Sequence, residues 1–346
     1  MKRLICVCLA LLLLMTGCDG LGAPAQYSEL YVDTFDTVVQ LVAYDSDEQH
    51  FREQAEEFHR LLQEYDRLYD IYTAYDGVNN LYEVNRQAGV APVKVDDRIL
   101  DLLEFGKEVY TLSGGKVNIA AGAVLSLWHQ ARTAGLNDPA NAALPDASAL
   151  AEAAKHTAIE DMVIDRQAGT VFLRDPAMSL DVGAIAKGYA TEQLCLWIER
   201  NAWSQAAVSA GGNVRTVGSK GDGTPWVIGV ENPNRDDKQA YVATLCLTGQ
   251  ALVTSGDYQR TYTVDGVLYH HIIDTATCMP ADYVHSTTVL CDDSGLADAL
   301  STALFLMPVT DGQALVASLD GVEALWVTDD YQTIMTDGFE AAQKEE

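Results

Sequence analysis

Residues 29–44 alternate apolar and polar side chains and are rich in Val, Thr and Tyr, the period-two pattern of a strand. From 47 to 70 the period changes. Phe51, Ala55, Phe58, Leu61, Leu62, Tyr65 and Leu68 fall on one face of a helix. Residues 71–95, with Asp76-Gly77 and Asn79-Asn80, read as loop. Helical spacing returns at 97–112 and 118–134, a Gly/Asn/Pro-rich loop covers 135–147, and 148–157 is a short Ala-rich helix. A hairpin is predicted over 161–174 around Gln167-Ala168-Gly169, then a helix from Gly183 to Arg200. From 205 to 291 strands and turns dominate. Helices at 294–306 and 310–319, a hairpin at 323–336 and a charged, frayed tail at 340–346 close the chain. Strands and helices come in blocks, which argues for an α+β fold. No repeat, low-complexity segment or linker interrupts the stretch after residue 29.

Composition changes the picture in one respect. Lys and Arg number 22 against 50 Asp and Glu in 346 residues, a formal charge of −28. Such a surface repels phosphate backbones, so no nucleic-acid partner is expected. An anionic ligand would need a local device: a cation, a helix N-terminus or a placed Lys.

The first residues read as an export signal. Lys2 and Arg3 precede an apolar run from Leu4 to Met15, too short to span a bilayer. It ends in Met15-Thr16-Gly17-Cys18, which resembles a bacterial lipobox. The expected organisation is therefore a signal peptide over 1–17, lipidated Cys18 with a tether to 28, a folded domain over 29–340 and a charged tail over 341–346. Lipid on Cys18 would anchor the chain at the extracytoplasmic face of the cell membrane. Cys195, Cys246, Cys278 and Cys291 are widely spaced, with no C-x-x-C, and their spacing leaves disulfide pairing open.

Five segments could carry chemistry. Leu180–Ala190 (LDVGAIAKGYA) opens a helix, with Asp181 placed to cap it, two glycines, and Lys187 near amides that suit an anion. Ser209-Ala-Gly-Gly-Asn213 is good hairpin-turn chemistry, or bare backbone for a flat ring. Thr254-Ser-Gly-Asp-Tyr258 goes with His270-His271, whose side chains would point to opposite faces of a strand. Asp298 and Thr302 are four apart on a helix, so both oxygens share a face and suit Mg²⁺. Tyr72, with Tyr65, Tyr75 and Tyr82, could stack on a planar ring. Taken singly, the ordinary reading is preferred: a capped helix start, a tight turn, a solvated Asp-Thr pair, with loop packing as the ordinary reading of the tyrosines.

Order and spacing together resemble the ApbE family, the FAD:protein FMN transferases. The resemblance runs from about Tyr31 to Thr336 and is carried by Asp181-x-Gly-Ala-Ile-Ala-Lys-Gly-Tyr-Ala190, Ser209–Asn213, Thr254–Tyr258, His271-Ile-Ile-Asp274 and Ala297–Thr302. It implies mixed, mostly antiparallel sheets with flanking helices. It also implies Mg²⁺-dependent transfer of FMN from FAD to a Thr or Ser hydroxyl of an extracytoplasmic acceptor protein, with release of AMP. Carried onto this chain, the metal would sit on the Ala184 carbonyl, Asp298 and Thr302. Asp181 and Lys187 would contact FAD. Phe35, Tyr72, Lys116, Val117, Asn118 and Ile272 would line the flavin or adenine pocket. His271, with a pKa near neutrality, is the candidate base for the acceptor proton. Two departures stand out. Ala184 replaces the usual Gly, and Asn118-Ile-Ala-Ala-Gly122 stands where many relatives have Asp-Pro-Thr-Val-Gly, which loses a carboxylate. A flavin-binding lipoprotein, a metal-dependent FAD pyrophosphatase and a two-lobed solute-binding lipoprotein are the competing readings.

Overall fold

A computed structural model describes residues 24–344. The expected signal peptide over 1–17, the expected lipidation site Cys18 and residues 345–346 lie outside the described residues. From the N-terminal side, β1 (Ala25–Thr34) and β2 (Thr37–Asp45) form a hairpin, followed by α1 (Glu48–Tyr69), α2 (Leu81–Arg86) and β3 (Val93–Lys94). Next come α3 (Asp97–Leu112), α4 (Gly122–Asn137), α5 (Ala147–Ala153), the hairpin β4 (Met162–Asp165) and β5 (Thr170–Leu173), and α6 (Ala186–Asn201). The strand-rich part holds β6 (Ala206–Ala210), β7 (Asn213–Val217), β8 (Trp226–Glu231), β9 (Tyr241–Leu247), β10 (Ala251–Gly256), β11 (Tyr262–Val264), β12 (Val267–Tyr269), β13 (Ile273–Asp274), β14 (Met279–Pro280) and β15 (Ser286–Cys291). The chain continues through α7 (Ser294–Phe305), α8 (Val309–Ala317), β16 (Glu323–Val327), β17 (Thr333–Met335) and α9 (Asp337–Ala341).

Eight strands form one sheet in the order β1-β2-β6-β7-β10-β15-β16-β17, and each neighbouring pair is antiparallel. The α+β expectation holds. β15 is buried along its whole length, because α7 covers one face of the sheet there and a second apolar cluster covers the other. α7 packs in turn on α6.

Several boundaries differ from the sequence reading, each for a local reason. The single strand expected over 29–44 is two strands, because Phe35 and Asp36 both adopt left-handed backbone (φ 53° and 49°) and reverse the chain. The expected loop 71–95 contains α2, which Asn80 starts by accepting the Glu83 N–H. α4 begins at Gly122 rather than 118, because Asn118 Oδ1 takes the Ala120 N–H and makes a turn first. α5 is α-helical only to Ala153 and tightens into a 3₁₀ turn over Ala154–His156. The tail is not free at its start. α9 forms there, and Lys344 N–H donates to the Thr244 carbonyl on β9. Cys195, Cys246, Cys278 and Cys291 are free thiols, and burial raises the Cys291 pKa to about 12.

The ion pair between Arg215 on β7 and Glu192 on α6 joins three elements beneath the site. Arg215 Nε lies 3.0 Å from Glu192 Oε2, and both side chains are buried. The same carboxylate oxygen accepts the Ser294 N–H at the start of α7, at 2.8 Å. Burial raises the Glu192 pKa, and Arg215 opposes that shift. Removing one partner leaves the other charge buried and uncompensated. Arg215→Met is expected to lower unfolding free energy by about 3–5 kcal/mol in urea titrations, and Arg215→Met/Glu192→Leu to recover much of the loss.

Candidate active site

The sequence placed Asp181 as the cap of the helix that follows it. The structure puts that helix start at Ala186, with Ile185 at the N-cap and no side-chain cap from it. Asp181 Oδ1 instead accepts the Gly183 N–H at 2.9 Å, which folds 181–183 into a turn. The cap comes from another helix. Gly188 N–H donates to Asp298 Oδ2 of α7 at 2.8 Å. Glycine is required at 188, because a Cβ there would collide with the Asp298 side chain and the Ser294 carbonyl. The Asp298 carboxylate thus meets the positive end of the α6 dipole.

This bond has a consequence for Ala184. In a continuing helix, the Gly188 N–H would donate to the carbonyl four residues back, that of Ala184. Here it goes to Asp298, and among the described residues the Ala184 carbonyl receives no donor. Asp298 Oδ1, the other carboxylate oxygen, faces Lys187 Nζ at 3.7 Å. One turn further along α7, Thr302 Oγ1 lies 3.2 Å from Ser255 Oγ of β10, and Ser255 is held in turn by Ser301 at 2.8 Å. The crossing therefore presents a carbonyl, a carboxylate oxygen and a hydroxyl, a hard-oxygen set suited to Mg²⁺. Among the described residues no group of three or more His, Cys, Asp or Glu side chains gathers to hold a metal. The set at this crossing contains only one such side chain, Asp298.

A cleft of 410 Å³ lies alongside, lined by Tyr72, Tyr82, Ser126, His129 and Asp181 among others. Tyr72, 58% exposed, stacks on His129 with ring centroids 5.1 Å apart. Burial and the nearby Asp181 carboxylate push the Tyr72 pKa up to about 12. Burial also raises the Asp181 pKa, against the pull of the Gly183 N–H and of His129, Arg260 and Arg132. Sequence reasoning did not single out His129, Arg132 or Arg260. The signal that could have drawn attention to the arginines is scarcity, with 22 Lys and Arg against 50 Asp and Glu.

The remaining expected pocket residues divide. Phe35 sits at the β1–β2 turn, its N–H held by Asp66 Oδ1 at 2.7 Å. Lys116 Nζ pairs with Asp274 Oδ2 at 3.1 Å. Asn118 is committed to its own loop, donating to the Thr157 carbonyl at 2.9 Å and accepting from Ala120. Val117 is 2% exposed and Ile272 is 7% exposed, so both side chains pack into the main core rather than a cleft. The Gly211-Gly212 turn is tight (φ 58° and 96°), and a Cβ at 211 would strike Thr37. That face is occupied by β2, and Gly212 alone opens on free space.

His270 and His271 lie beyond the end of β12, not within a strand. His270 Nε2 bonds the Ala281 carbonyl at 2.8 Å, which gives it a structural task. His271 Nδ1 is buried and has no hydrogen-bond partner. Burial, then Arg260, Arg132 and His270, push the His271 pKa down to about 3. The near-neutral value expected from sequence is thereby corrected. Burial and the neighbouring cations thus favour the neutral ring.

The chain belongs to the ApbE family, whose profile matches residues 35–326. It is 36% identical over 267 residues to the FAD:protein FMN transferase of Treponema pallidum, covering 72% of this chain and 71% of that protein. It is 31% identical over 278 residues to an FAD:protein FMN transferase of Klebsiella pneumoniae, covering 80% and 84%. The crystal structure of the ApbE protein of Thermotoga maritima superposes with a TM-score of 0.81 at 29% identity, over 93% of this chain and all of that one (100%).

The depressed His271 pKa has a direct check. In an NMR titration of the ligand-free protein, the His271 ring should stay neutral as pH falls through 6.5, where an ordinary histidine charges, and should protonate only toward pH 3.

Proposed function

We propose that this chain is a Mg²⁺-dependent transferase that moves FMN from FAD to a Thr or Ser hydroxyl of an extracytoplasmic acceptor protein, releasing AMP. The observation that carries this reading is the α6–α7 crossing, where one N–H bond to Asp298 leaves the Ala184 carbonyl without a donor beside the carboxylate. The transferase relatives support the same assignment.

In the reaction, the acceptor hydroxyl oxygen bonds to the phosphorus of the FMN half. The bond from that phosphorus to the bridging oxygen breaks, and AMP leaves with the bridging oxygen. The hydroxyl proton goes to His271 Nδ1. Bound Mg²⁺ would supply charge neutralisation of the diphosphate. Ala184, Asp298 and Thr302 would hold it, and Lys187 adds a fixed positive charge beside Asp298. Asp181 would accept from hydroxyl or amine groups of FAD. Little covalent chemistry is asked of the protein, whose task is placement of acceptor and diphosphate. The lipobox at Met15–Cys18 supports a lipid anchor outside the cytoplasm, which places the acceptor in the same compartment. No helix among the described residues is long and apolar enough to cross a membrane.

The test uses the form beginning after Cys18, incubated with FAD, Mg²⁺ and a candidate acceptor domain, with and without chelator. Chelator-sensitive AMP release with an FMN mass increment on the acceptor is the expected result. FAD binding without AMP release would overturn the reading. Asp298→Ala should abolish transfer and weaken Mg²⁺-dependent FAD binding, and full activity would remove Asp298 from the metal site. His271→Ala should reduce the transfer rate by about 10²–10⁴-fold while FAD stays bound, with His270→Ala as the neighbouring control.

A further inference from the structure

Arg132 on α4 and Arg260, just after β10, are joined through a bond from Arg132 Nη1 to the Arg260 carbonyl at 3.4 Å. Among the described residues neither guanidinium lies within ion-pair distance of a carboxylate, although the chain has 50 acidic residues. Arg132 is half-buried, and burial together with the charge of exposed Arg260 lowers its pKa. Arg260 adopts left-handed backbone, φ 47°, a strained conformation that aims a charged side chain. Arg132 Nη2 also approaches His129 Nδ1 at 3.3 Å, which ties the pair to the Tyr72–His129 wall of the cleft. Both arginines act on His271, whose Nδ1 is buried and unpartnered. Asp181 and Asp36 are the carboxylates felt at the Tyr72–His129 wall, and neither pairs with a guanidinium among the described residues.

From these contacts we propose that Arg132 and Arg260 form a two-guanidinium clamp for the FMN phosphate of FAD, on the side from which the acceptor hydroxyl arrives. The assignment rests on the transferase reading for the reaction, but the clamp is a binding statement in its own right. Its geometry follows from His271. A base that takes the hydroxyl proton stands next to the phosphorus under attack, so cations beside that base meet the oxygens of the transferred phosphoryl group. They would stabilise the charge that builds there as the acceptor oxygen bonds and the bridging oxygen departs with AMP. Guanidinium suits this task because its planar donors match two phosphate oxygens at once.

Ligand binding without any acceptor tests the clamp separately from transfer. FMN, AMP and riboflavin would be titrated by calorimetry into the Mg²⁺-loaded chain and into Arg260→Met and Arg132→Lys. Arg260 is exposed, and lysine at 132 keeps the charge, so both variants should hold the fold, with thermal melting as the control. The expected result is FMN affinity about tenfold weaker in each variant, with riboflavin unchanged. Unchanged FMN affinity would overturn the clamp. A loss confined to AMP would overturn its assignment to the FMN phosphate. A wild-type chain that shows this arginine-dependent FMN binding yet transfers nothing to any acceptor would retain the clamp and lose the transferase reading.

Discussion

The hydrogen bond from Gly188 N–H to Asp298 Oδ2 is the contact on which the site depends. It fixes how closely α6 and α7 approach, because no side chain fits at 188. It caps α6 from outside its own sequence. It diverts the donor that would have satisfied the Ala184 carbonyl. It also orients the second carboxylate oxygen toward Lys187. A buried carboxylate is costly unless hydrogen-bonded or paired. At 5% exposure Asp298 has the Gly188 N–H, the start of α6 and Lys187 nearby. Beneath this crossing, Glu192 receives both Arg215 and the first amide of α7, so the same two helices are tied a second time.

Charge explains why the rest of the cleft looks as it does. A chain at −28 presents a repulsive surface to a dinucleotide that is itself anionic. The fold counters this locally rather than globally. Lys187 sits at the crossing, and Arg132 and Arg260 sit behind the His129 wall without carboxylate partners among the described residues. The same arginines add to burial in holding the His271 pKa down.

Much of this was legible in the sequence because it is local. α1 and α3 follow their apolar periods almost to the residue, and the β4–β5 and β16–β17 hairpins fall where turn residues mark them. Asp298 and Thr302 do share a helix, as their four-residue spacing requires. What failed to show is what depends on partners distant in sequence. Asp181 looked like a cap because it precedes a helix, whereas the actual cap lies on α7. Val117 and Ile272 looked like lining residues, whereas tertiary packing took both into the core. Phe35 and Asp36 looked like mid-strand residues, because nothing in their chemistry announces a left-handed turn. The Arg132–Arg260 pair spans elements that only the fold brings together, so no motif spacing could reveal it.

Asp298→Asn separates the two tasks assigned to this side chain. The amide oxygen can still accept the Gly188 N–H, while the charge that would hold Mg²⁺ is gone. Titration of Mg²⁺ into wild type and Asp298→Asn, with thermal unfolding measured on both, tests the account most directly. An unfolding midpoint close to wild type is expected, with Mg²⁺ affinity reduced at least about tenfold, the scale of one lost charged interaction. Wild-type Mg²⁺ affinity in Asp298→Asn would contradict it, and would leave the carboxylate with the helix crossing as its whole purpose.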